Sequence, residues 1–344
     1  MTHERNFIPL AQAAPPLFAG IDLGGTNIKA GVVDDRGHPL SWHSVPTHVE
    51  RGPDAGALAM ADAVRQACAQ AGIGVDRLAR VGLGSPGTMD LKAGLLLQPN
   101  NLPGWWDFPL RDRVAGHLGR PVSFANDASA AAYGEFWVGS GRKFHSMIMF
   151  TLGTGVGGGI IVGNLSIDGE HGAGAELGHI IIDYHDDARL CTCGGRGHLE
   201  AYASATALVR RTEEALAAGR GSSLARRIAS PADLTPLVIA EEAQRGDALA
   251  LELIRDTARF LGIGAVSVMH TIDPDGVIIG GAMTFGGHAT ELGRMFLARV
   301  REEVQARAFP PLAEVVCVDY ASLGGDAGYI GAAGVARTDL QTAK

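Results

Sequence analysis

A pattern of strand, glycine-rich turn and strand occurs twice in this chain, and it constrains the fold more than any other feature of the sequence. The first copy is Asp22-Leu23-Gly24-Gly25-Thr26 followed by Gly31-Val32-Val33, and the second is Thr151-Leu152-Gly153-Thr154-Gly155 followed by Gly159-Ile160-Ile161. One such turn by itself is typical of an ordinary hairpin. Two turns with matching flanks instead predict two related halves, each offering backbone N–H groups and a threonine hydroxyl to phosphate oxygens.

Neither turn matches the two common nucleotide-binding motifs. The dinucleotide fingerprint opens a helix, whereas both of these turns are expected to lead into a strand. A Walker P-loop needs a Gly-Lys-Ser or Gly-Lys-Thr sequence, which follows neither turn. The pattern therefore indicates another kind of phosphate site, a turn between two strands in each half of the chain.

Strands alternate with helices along the sequence, and this order predicts an α/β fold. Hydrophobic runs predict strands at Leu17–Leu23, Ile28–Val33, Val81–Leu83, Val122–Ala125, Met147–Leu152, Gly159–Val162 and Val277–Ile279. Helical spacing predicts helices at Ala55–Ala71, 127–137, 199–218, 237–245 and 248–270. The 344 residues exceed one ordinary core, since a domain holds roughly 100–200 residues. We predict a small lobe of residues 18–125 joined by 328–344, and a large lobe of residues 126–327 that carries a zinc-binding loop.

Charge and composition exclude several classes of protein. The net charge is −8 and no cluster of Lys and Arg is present, so nucleic acid is not an expected partner. No run of about 18 apolar residues occurs, so no membrane span is expected. Pro9, Pro15 and Pro16 interrupt the first residues, which match a signal peptide poorly. The sequence therefore predicts a soluble, cytoplasmic protein.

The two turns resemble the phosphate motifs of the actin, hexokinase and Hsp70 ATPase superfamily, and the segment around the second turn resembles the ROK family within it. That segment, Leu152 to His179, contains Gly153-Thr154-Gly155-Val156-Gly157-Gly158-Gly159, then Gly169, then Glu176-Leu177-Gly178-His179. The sequence Cys191-Thr192-Cys193-Gly194-Gly195, continued by Gly197-His198-Leu199-Glu200, resembles the metal motif of the family. The resemblance extends from about Phe18 to Arg337. It implies a two-lobed, actin-like (ribonuclease H-like) ATPase fold with a cleft between the lobes.

The resemblance also implies an activity, the transfer of the γ-phosphoryl group of ATP to a hydroxyl of a hexose in the presence of Mg²⁺. Within the family, Asn101-Leu102-Pro103-Gly104-Trp105 and the motif set are most similar to bacterial glucokinases, so glucose is the expected acceptor. Asp127 then accepts the proton of the attacking hydroxyl, and Asn126 orients the sugar. The alternative for Asp127 is a helix cap, since Asn126-Asp127 follows a predicted strand and opens a predicted helix.

The implied nucleotide site draws on both Gly/Thr turns. Asp22 holds the magnesium ion, usually through water, and magnesium neutralises charge on the transferring group. Lys29 either contacts phosphate or faces solvent from its strand. The full implied set for ATP is Asp22, Gly24, Gly25, Thr26, Asn27, Lys29, Thr154, Gly155 and Gly281.

The implied sugar site is rich in carboxylates, which accept several hydroxyl hydrogen bonds each. Glu176, His179 and Glu200 are expected to bind sugar hydroxyls, although a single Glu is more often a solvated surface residue. The full implied set for the sugar is Gly87, Asn101, Asn126, Asp127, Glu176, His179 and Glu200.

The family's metal motif implies a structural zinc ion held by His179, Cys191, Cys193 and His198. His198 departs from the family pattern, which has a third cysteine there, but imidazole and thiolate both suit tetrahedral zinc. The alternative is that Cys191 and Cys193 are reduced thiols without a metal. With zinc bound, one ring nitrogen of His179 would coordinate the metal and the other would contact sugar, so that zinc fixes the imidazole tautomer.

Three other functions stay open at this point. The nearest is an N-acylhexosamine kinase, or another hexose kinase, on the same scaffold. A ROK-type transcriptional repressor carries a winged helix-turn-helix ahead of the first phosphate strand, whereas a short segment with three prolines precedes Phe18 here. A non-catalytic sugar-binding protein would have no need of Asp22, Asp127 and both turns. The resemblance also implies a homodimer or homotetramer.

Overall fold

The computed structural model describes residues 5–99 and 101–342, and it contains the following regular elements. The strands are β1 (Leu17–Leu23), β2 (Asn27–Val33), β3 (Pro39–Pro46), β4 (Leu78–Ser85), β5 (Met89–Asp90), β6 (Leu95–Leu96), β7 (Val122–Asn126), β8 (Ser146–Leu152), β9 (Val156–Val162), β10 (Leu165–Ser166), β11 (Gly276–Gly281) and β12 (Cys317–Tyr320). The helices are α1 (Pro53–Gln70), α2 (Leu110–Leu118), α3 (Asp127–Trp137), α4 (Glu200–Ala203), α5 (Ala205–Ala217), α6 (Leu224–Arg227), α7 (Pro236–Gln244), α8 (Ala248–Ile272), α9 (Glu291–Arg307), α10 (Pro310–Val315) and α11 (Ala327–Thr342).

The predicted α/β class is confirmed, with two differences in detail. The strands β3 and β12, the helices α2, α6, α9 and α10, and the two-residue strands β5, β6 and β10 were not predicted from the sequence. The predicted helix 199–218 is divided into α4 and α5 at Ser204, because the Ser204 hydroxyl accepts a hydrogen bond from Ala207 N at 3.0 Å and caps α5. In the part of the chain that the structure describes, no helix is both long and apolar enough to cross a membrane.

The described residues form two compact units. The first contains residues 5–143, 159–175 and 322–342, and the second contains Phe144–Gly158 and Glu176–Ala321. The chain passes from the second unit to the first within β9. Helix α3 belongs to the first unit, so the first crossing lies later in the chain than the expected division at 125/126.

A mixed five-stranded sheet in the order β3-β2-β1-β4-β7 forms the centre of the first unit. The strands β1 and β2 are antiparallel and place Asp22 opposite Lys29. The strands β1, β4 and β7 are parallel, with Asp22 opposite Gly84 and Ser85 opposite Asn126. Since parallel strands end at the same edge, this register brings the predicted residues Asp22 and Asn126 to one edge of the sheet.

Small residues allow α11 to lie directly on this sheet and on α3. A Cβ added to Gly20 would collide with the Tyr329 carbonyl, and one added to Gly331 would collide with the Ala130 carbonyl. Close backbone contact of this kind excludes any larger side chain. The contact of α11 with α3 is the physical reason that α3 groups with the first unit.

The second unit is built on the parallel strands β8, β11 and β12, with β11 between the other two. Gly281, the last residue of β11, lies opposite Leu152, the last residue of β8. The long helix α8 packs against α9, α7 and α5 and has a buried apolar face. This arrangement places Gly281 at the same sheet edge as the second Gly/Thr turn, which begins at Gly153.

Candidate active site

The first Gly/Thr turn is a tight hairpin turn that is hydrogen-bonded to the residue directly after β3. Gly24 N donates to Asn27 O at 2.9 Å, and the Thr47 hydroxyl donates to Gly24 O at 2.6 Å. Residues 25–27 are exposed at the tip of the turn. A braced turn with exposed backbone and a hydroxyl has the chemistry that phosphate oxygens require. The predicted residues Gly24, Gly25, Thr26 and Asn27 therefore form one continuous surface.

Lys29 is held beside Asp22 rather than extended into solvent. Its Nζ lies 3.1 Å from Asp22 Oδ2 and also donates to the Gly325 carbonyl at 3.3 Å. The side chain of Asp22 is 19% exposed and that of Lys29 is 32% exposed, so both remain accessible to a small ion or a phosphate. The carboxylate and ammonium groups thus form one partly screened pair at the carboxyl end of β1.

The Asn126-Asp127 pair lies at the junction of β7 and α3, and the cap of this helix is Asn126. Asn126 Oδ1 accepts hydrogen bonds from Ala128 N at 2.9 Å and from Ser129 N at 3.3 Å. Asp127 is the first residue of α3, and its Oδ1 also accepts from Ala128 N, at 2.8 Å. The capping role considered for Asp127 is thus filled by Asn126. The amide NH₂ of Asn126 is left to donate elsewhere, and the helix N-terminus favours the negative charge of Asp127.

Two further predicted sugar residues lie in the segment between β4 and α2. A Cβ added to Gly25 would lie 3.2 Å from Asn101 O, so Asn101 is a direct neighbour of the first turn. Gly87 has a φ of +92°, and a Cβ added there would strike Pro99. Glycine is therefore required at position 87 by both its backbone conformation and its surroundings. The first unit brings together Asp22, Gly25, Asn101 and the Asn126-Asp127 junction at one sheet edge.

The second Gly/Thr turn is anchored by residues at the start of α5. Ala205 N donates to Gly153 O at 2.9 Å, and the Thr206 hydroxyl donates to Thr154 O at 2.8 Å. Gly281 adopts a φ of +90°, and a Cβ added to it would collide with the backbone of Leu152. The predicted nucleotide residues Thr154, Gly155 and Gly281 therefore meet at one edge of the second unit.

Glu176, His179 and Glu200 form a polar cluster in the second unit. A short 3₁₀ turn at Leu177–His179 follows Glu176, and His179 Nε2 lies 4.0 Å from Glu176 Oε2. The pKa of Glu176 is raised, chiefly by burial. The Glu200 carboxylate also raises this pKa, whereas His179 acts in the opposite direction. Glu200 opens α4, and its Oε2 accepts a hydrogen bond from Val156 N at 3.0 Å. The cluster offers several acceptors and an imidazole, which match the hydroxyls of a sugar.

The four predicted metal ligands lie together in the second unit, and their ligand atoms are all within 4.8 Å of one another. Cys191 Sγ lies 3.8 Å from His179 Nδ1, and Cys193 Sγ lies 3.2 Å from His198 Nδ1. Tetrahedral zinc with bonds of about 2.0–2.3 Å requires spacings of this size between its ligands. His179 thus directs Nδ1 toward the cysteines and Nε2 toward Glu176. The donor set therefore fits a zinc ion.

Local backbone structure produces this cluster. Ile181 forms a β-bridge with His198, and Leu199 N donates to Ile180 O at 2.9 Å, which brings the two histidine rings to a centroid distance of 5.3 Å. Cys191 N donates to Gly195 O at 2.8 Å and closes a tight loop around Cys193. Burial raises the pKa of the Cys191 thiol, so a bound cation is what would stabilise its thiolate form.

Sequence reasoning missed two residues that organise this cluster. The Thr192 hydroxyl donates to Glu200 Oε1 at 2.8 Å, and the Tyr202 hydroxyl donates to Asp183 Oδ2 at 2.6 Å. The position of Thr192 between two predicted ligands was the only available signal for its role. Nothing in the sequence indicates the Tyr202 contact, because it joins a helix to a distant loop.

With the fold and these two sets of residues described, comparison with known proteins defines the class of protein. The ROK family model matches residues 18–339, so the chain belongs to the ROK family. It is 36% identical over 336 residues to a glucokinase of Streptomyces coelicolor, covering 93% of this chain and 98% of the relative.

Two solved structures of the same family are similar along almost the whole chain. The ROK hexokinase of Thermus thermophilus has a TM-score of 0.79 and 34% identity, covering 95% of this chain and 100% of that chain. The ROK family glucokinase of Streptomyces griseus, solved in complex with glucose and AMPPNP, has a TM-score of 0.73 and 35% identity, covering 94% of this chain and 100% of that chain. The family and the actin-like ATPase fold expected from the motifs are thus confirmed.

Proposed function

We propose that this protein is an ATP-dependent hexose kinase that transfers the γ-phosphoryl group of ATP to the 6-hydroxyl of glucose. The observation that carries the proposal is the Asn126-Asp127 junction, where a capped helix fixes a carboxylate at the edge of a sheet that also bears a phosphate-type turn. The glucokinase of S. coelicolor and the glucose and AMPPNP complex of the S. griseus enzyme support the choice of substrates.

Asp127 serves as the general base. It accepts the proton of the sugar hydroxyl as that oxygen attacks the γ-phosphorus, a role that requires an ionised carboxylate within hydrogen-bonding reach. Asn126 uses Oδ1 to cap α3, so its NH₂ group donates to the sugar. One residue thus fixes the base and orients the acceptor.

The two Gly/Thr turns bind the phosphates of ATP through backbone N–H groups and the hydroxyls of Thr26 and Thr154. Asp22 is the carboxylate that would hold Mg²⁺, because its oxygens suit this hard cation and it lies at the end of β1 beside the turn. When bound, Mg²⁺ neutralises charge on the phosphates. Lys29 supplies a second positive charge near the same carboxylate.

Glu176, His179, Glu200 and Asn101 bind the hydroxyls of the sugar. A site that hydrogen-bonds a hydroxyl rejects an analogue that lacks it or carries a bulky group there, because buried polar atoms are left unpaired. Each lost contact is worth on the order of 1–3 kcal/mol, or roughly a five- to hundredfold loss in specificity. Glucose is therefore preferred to mannose and glucosamine, and N-acetylmannosamine is poorer still.

We propose in addition that His179, Cys191, Cys193 and His198 hold one structural zinc ion. The support is the chemistry and spacing of their ligand atoms. Zinc would fix the Nδ1 side of His179 and leave Nε2 to the sugar site. The metal would thus stabilise a substrate-binding residue without taking part in phosphoryl transfer.

Measurement of kcat/KM for a panel of sugars at saturating ATP and Mg²⁺ tests the function. The panel contains glucose, mannose, glucosamine, N-acetylglucosamine and N-acetylmannosamine, and the assay follows ADP release together with the position of the new phosphate ester. We expect glucose to have the highest kcat/KM and to give the 6-phosphate. A higher value for an acylated sugar would replace glucose with an N-acylhexosamine but keep the kinase assignment. Absence of ADP release with every hexose would reject the kinase itself.

A further inference from the structure

The carboxylate of Glu200 joins two segments of the second unit that have different proposed roles. Its Oε2 accepts a hydrogen bond from Val156 N at 3.0 Å, directly after the second Gly/Thr turn. Its Oε1 accepts a hydrogen bond from the Thr192 hydroxyl at 2.8 Å, inside the loop of the metal ligands. One side chain therefore connects the nucleotide-binding turn with the metal loop.

The Oε2 side of this carboxylate is fixed by the fold. Val156 follows a turn that is itself anchored to the start of α5, and a Cβ added to Gly155 would collide with Glu200 Oε2. The Val156 carbonyl in turn lies against Gly178, within the Glu176–His179 segment. Backbone packing thus determines where Oε2 lies, independently of the metal loop.

The Oε1 side depends on a single good donor. Among the described residues, Oε1 receives the Thr192 hydroxyl and a weaker contact from Cys191 Sγ at 3.7 Å. A hydroxyl bound to an ionised carboxylate forms a stronger hydrogen bond than one between neutral groups. The branched Cβ of threonine restricts χ1, so little rotational freedom is lost in holding the carboxylate. The Sγ contact is weak, so a hydroxyl of a ligand can replace it as the second donor to Oε1.

We infer that Thr192 is a positioning residue, which holds Oε1 of Glu200 in the orientation that accepts a hydrogen bond from the sugar. The inference rests on the proposed function, since it takes Glu200 as a sugar-binding residue. Without the Thr192 hydroxyl the carboxylate can rotate about its last side-chain bond toward water. The sugar must then order it on binding, which lowers sugar affinity. Asp127 and the first turn are unchanged, so the rate of phosphoryl transfer from the bound state is retained.

Replacement of the hydroxyl by a methyl group of similar size gives the first test. For Thr192→Val, we expect the Kd and KM for glucose to rise roughly five- to tenfold, as for loss of a hydrogen bond from an exposed hydroxyl to a half-buried charged group. The kcat and the zinc content should stay near those of the wild type. Thr192→Ser keeps the hydroxyl and should restore the KM to within about twofold of the wild type.

A double-mutant cycle with deoxy sugars separates positioning from general loosening of the loop. The wild type and Thr192→Val are compared on glucose and on 1-, 2-, 3- and 4-deoxyglucose, which together remove each hydroxyl other than the reacting one. One deoxy sugar lacks the hydroxyl that Glu200 binds, and for it the loss caused by Thr192→Val should nearly disappear, since groups in one network are not additive. For the other deoxy sugars the two losses should multiply.

Three results would overturn the inference. The first is an unchanged glucose Kd in a folded Thr192→Val protein, and the second is losses that multiply for every deoxy sugar. The third is loss of zinc from Thr192→Val, because it would show that the hydroxyl acts on the metal loop. The failure of the proposed function is distinct from these, because it would appear as absence of ADP release by the wild-type protein with glucose. Glucose binding by equilibrium methods still tests Thr192 in that case, since it needs no turnover.

Discussion

Lys29 Nζ lies 3.1 Å from Asp22 Oδ2, because the two residues are register partners across the β1–β2 hairpin. Asp22 is the last polar residue before the first Gly/Thr turn, and Lys29 is the first cationic residue after it. The ammonium of Lys29 thus neutralises the carboxylate that we propose as a ligand of Mg²⁺. If Asp22 holds Mg²⁺ as we propose, the Lys29 ammonium and the metal ion would compete for one carboxylate.

This competition predicts opposite effects for the two partners on the Mg²⁺ requirement. Lys29→Met should lower the free Mg²⁺ concentration for half-maximal rate, and Asp22→Asn should raise it, each by roughly fivefold, since a charge pair at 4 Å in water is worth about 1 kcal/mol. The measurement is a Mg²⁺ titration of the rate at fixed, saturating ATP. Lys92→Met, which removes a surface partner of Glu170, is the matched control and should have no effect. A change of the same sign in both variants would rule out competition.

Asp127→Asn should lower kcat by ~10²–10⁴ while the protein keeps its fold and its affinity for glucose, which is the range expected for loss of a general base. The helix cap survives because Asn126 provides it. Steady-state kinetics and glucose binding are measured in parallel, with Asp54→Asn on the exposed start of α1 as the control. A folded Asp127→Asn enzyme with near-normal kcat would show that another group accepts the proton.

The purified protein should contain about one zinc ion per chain when it is prepared without chelators. His198→Cys should retain the metal, whereas His198→Ala should weaken zinc binding and raise the KM for glucose, because His179 loses its fixed orientation. Elemental analysis and kinetics together check this expectation. Cys317→Ala, an exposed cysteine outside the cluster, controls for general thiol loss. Zinc-free wild-type protein would disprove the metal site.

Replacement of two helical glycines by alanine should change the free energy of unfolding in opposite directions. Gly331 in α11 lies against the backbone of Ala130, so Gly331→Ala should lower the free energy of unfolding by about 1–3 kcal/mol through overpacking. Gly116 in α2 has no atom within 4 Å of an added Cβ, so Gly116→Ala should raise it by about 0.5–1 kcal/mol through helix propensity. Urea unfolding of both variants tests the contact of α11 with α3. Equal effects would contradict the close packing described here.

Glu242 should make the protein sensitive to acid. Its hydrogen bonds from the Ser223 hydroxyl, from Arg227 and from Arg245 lower the pKa of Glu242 from 4.5 to about 2. A carboxyl group whose pKa is lowered on folding stabilises the fold above its unfolded pKa, and this contribution is lost as the pH falls from about 4.5 toward 2. Glu242→Gln should therefore be less stable than the wild type at pH 7, and its stability should fall less between pH 5 and pH 3.

Urea midpoints at several pH values measure this dependence. Glu241→Gln is the control, because Glu241 also pairs with Arg227 but is more exposed. A steeper loss of stability in Glu242→Gln than in the wild type over the acid range would contradict the assignment of the lowered pKa to this network.

The sequence alone determined the features that depend on short stretches of chain. The Gly24-Gly25-Thr26 turn follows from local backbone chemistry, since glycines between two hydrophobic runs favour a tight turn whatever surrounds them. The cysteines and His198 are close in sequence, so a tight loop suffices to gather them. The α/β class follows from the order of local elements, and family membership from the motifs those elements carry.

The tertiary structure decided which atoms of those residues are used. Only the observed backbone shows that Asn126 rather than Asp127 caps α3, since either side chain is chemically able to do so. The Thr192 and Val156 hydrogen bonds to Glu200 depend on the packing of the second turn against the start of α4 and α5, which no local pattern encodes. Likewise, α11 reaches α3 because glycines at both surfaces remove steric bulk, and a glycine in a sequence does not reveal which backbone will lie against it. Residue types and spacing thus specify what chemistry is available, whereas long-range packing selects the rotamer and the partner of each group.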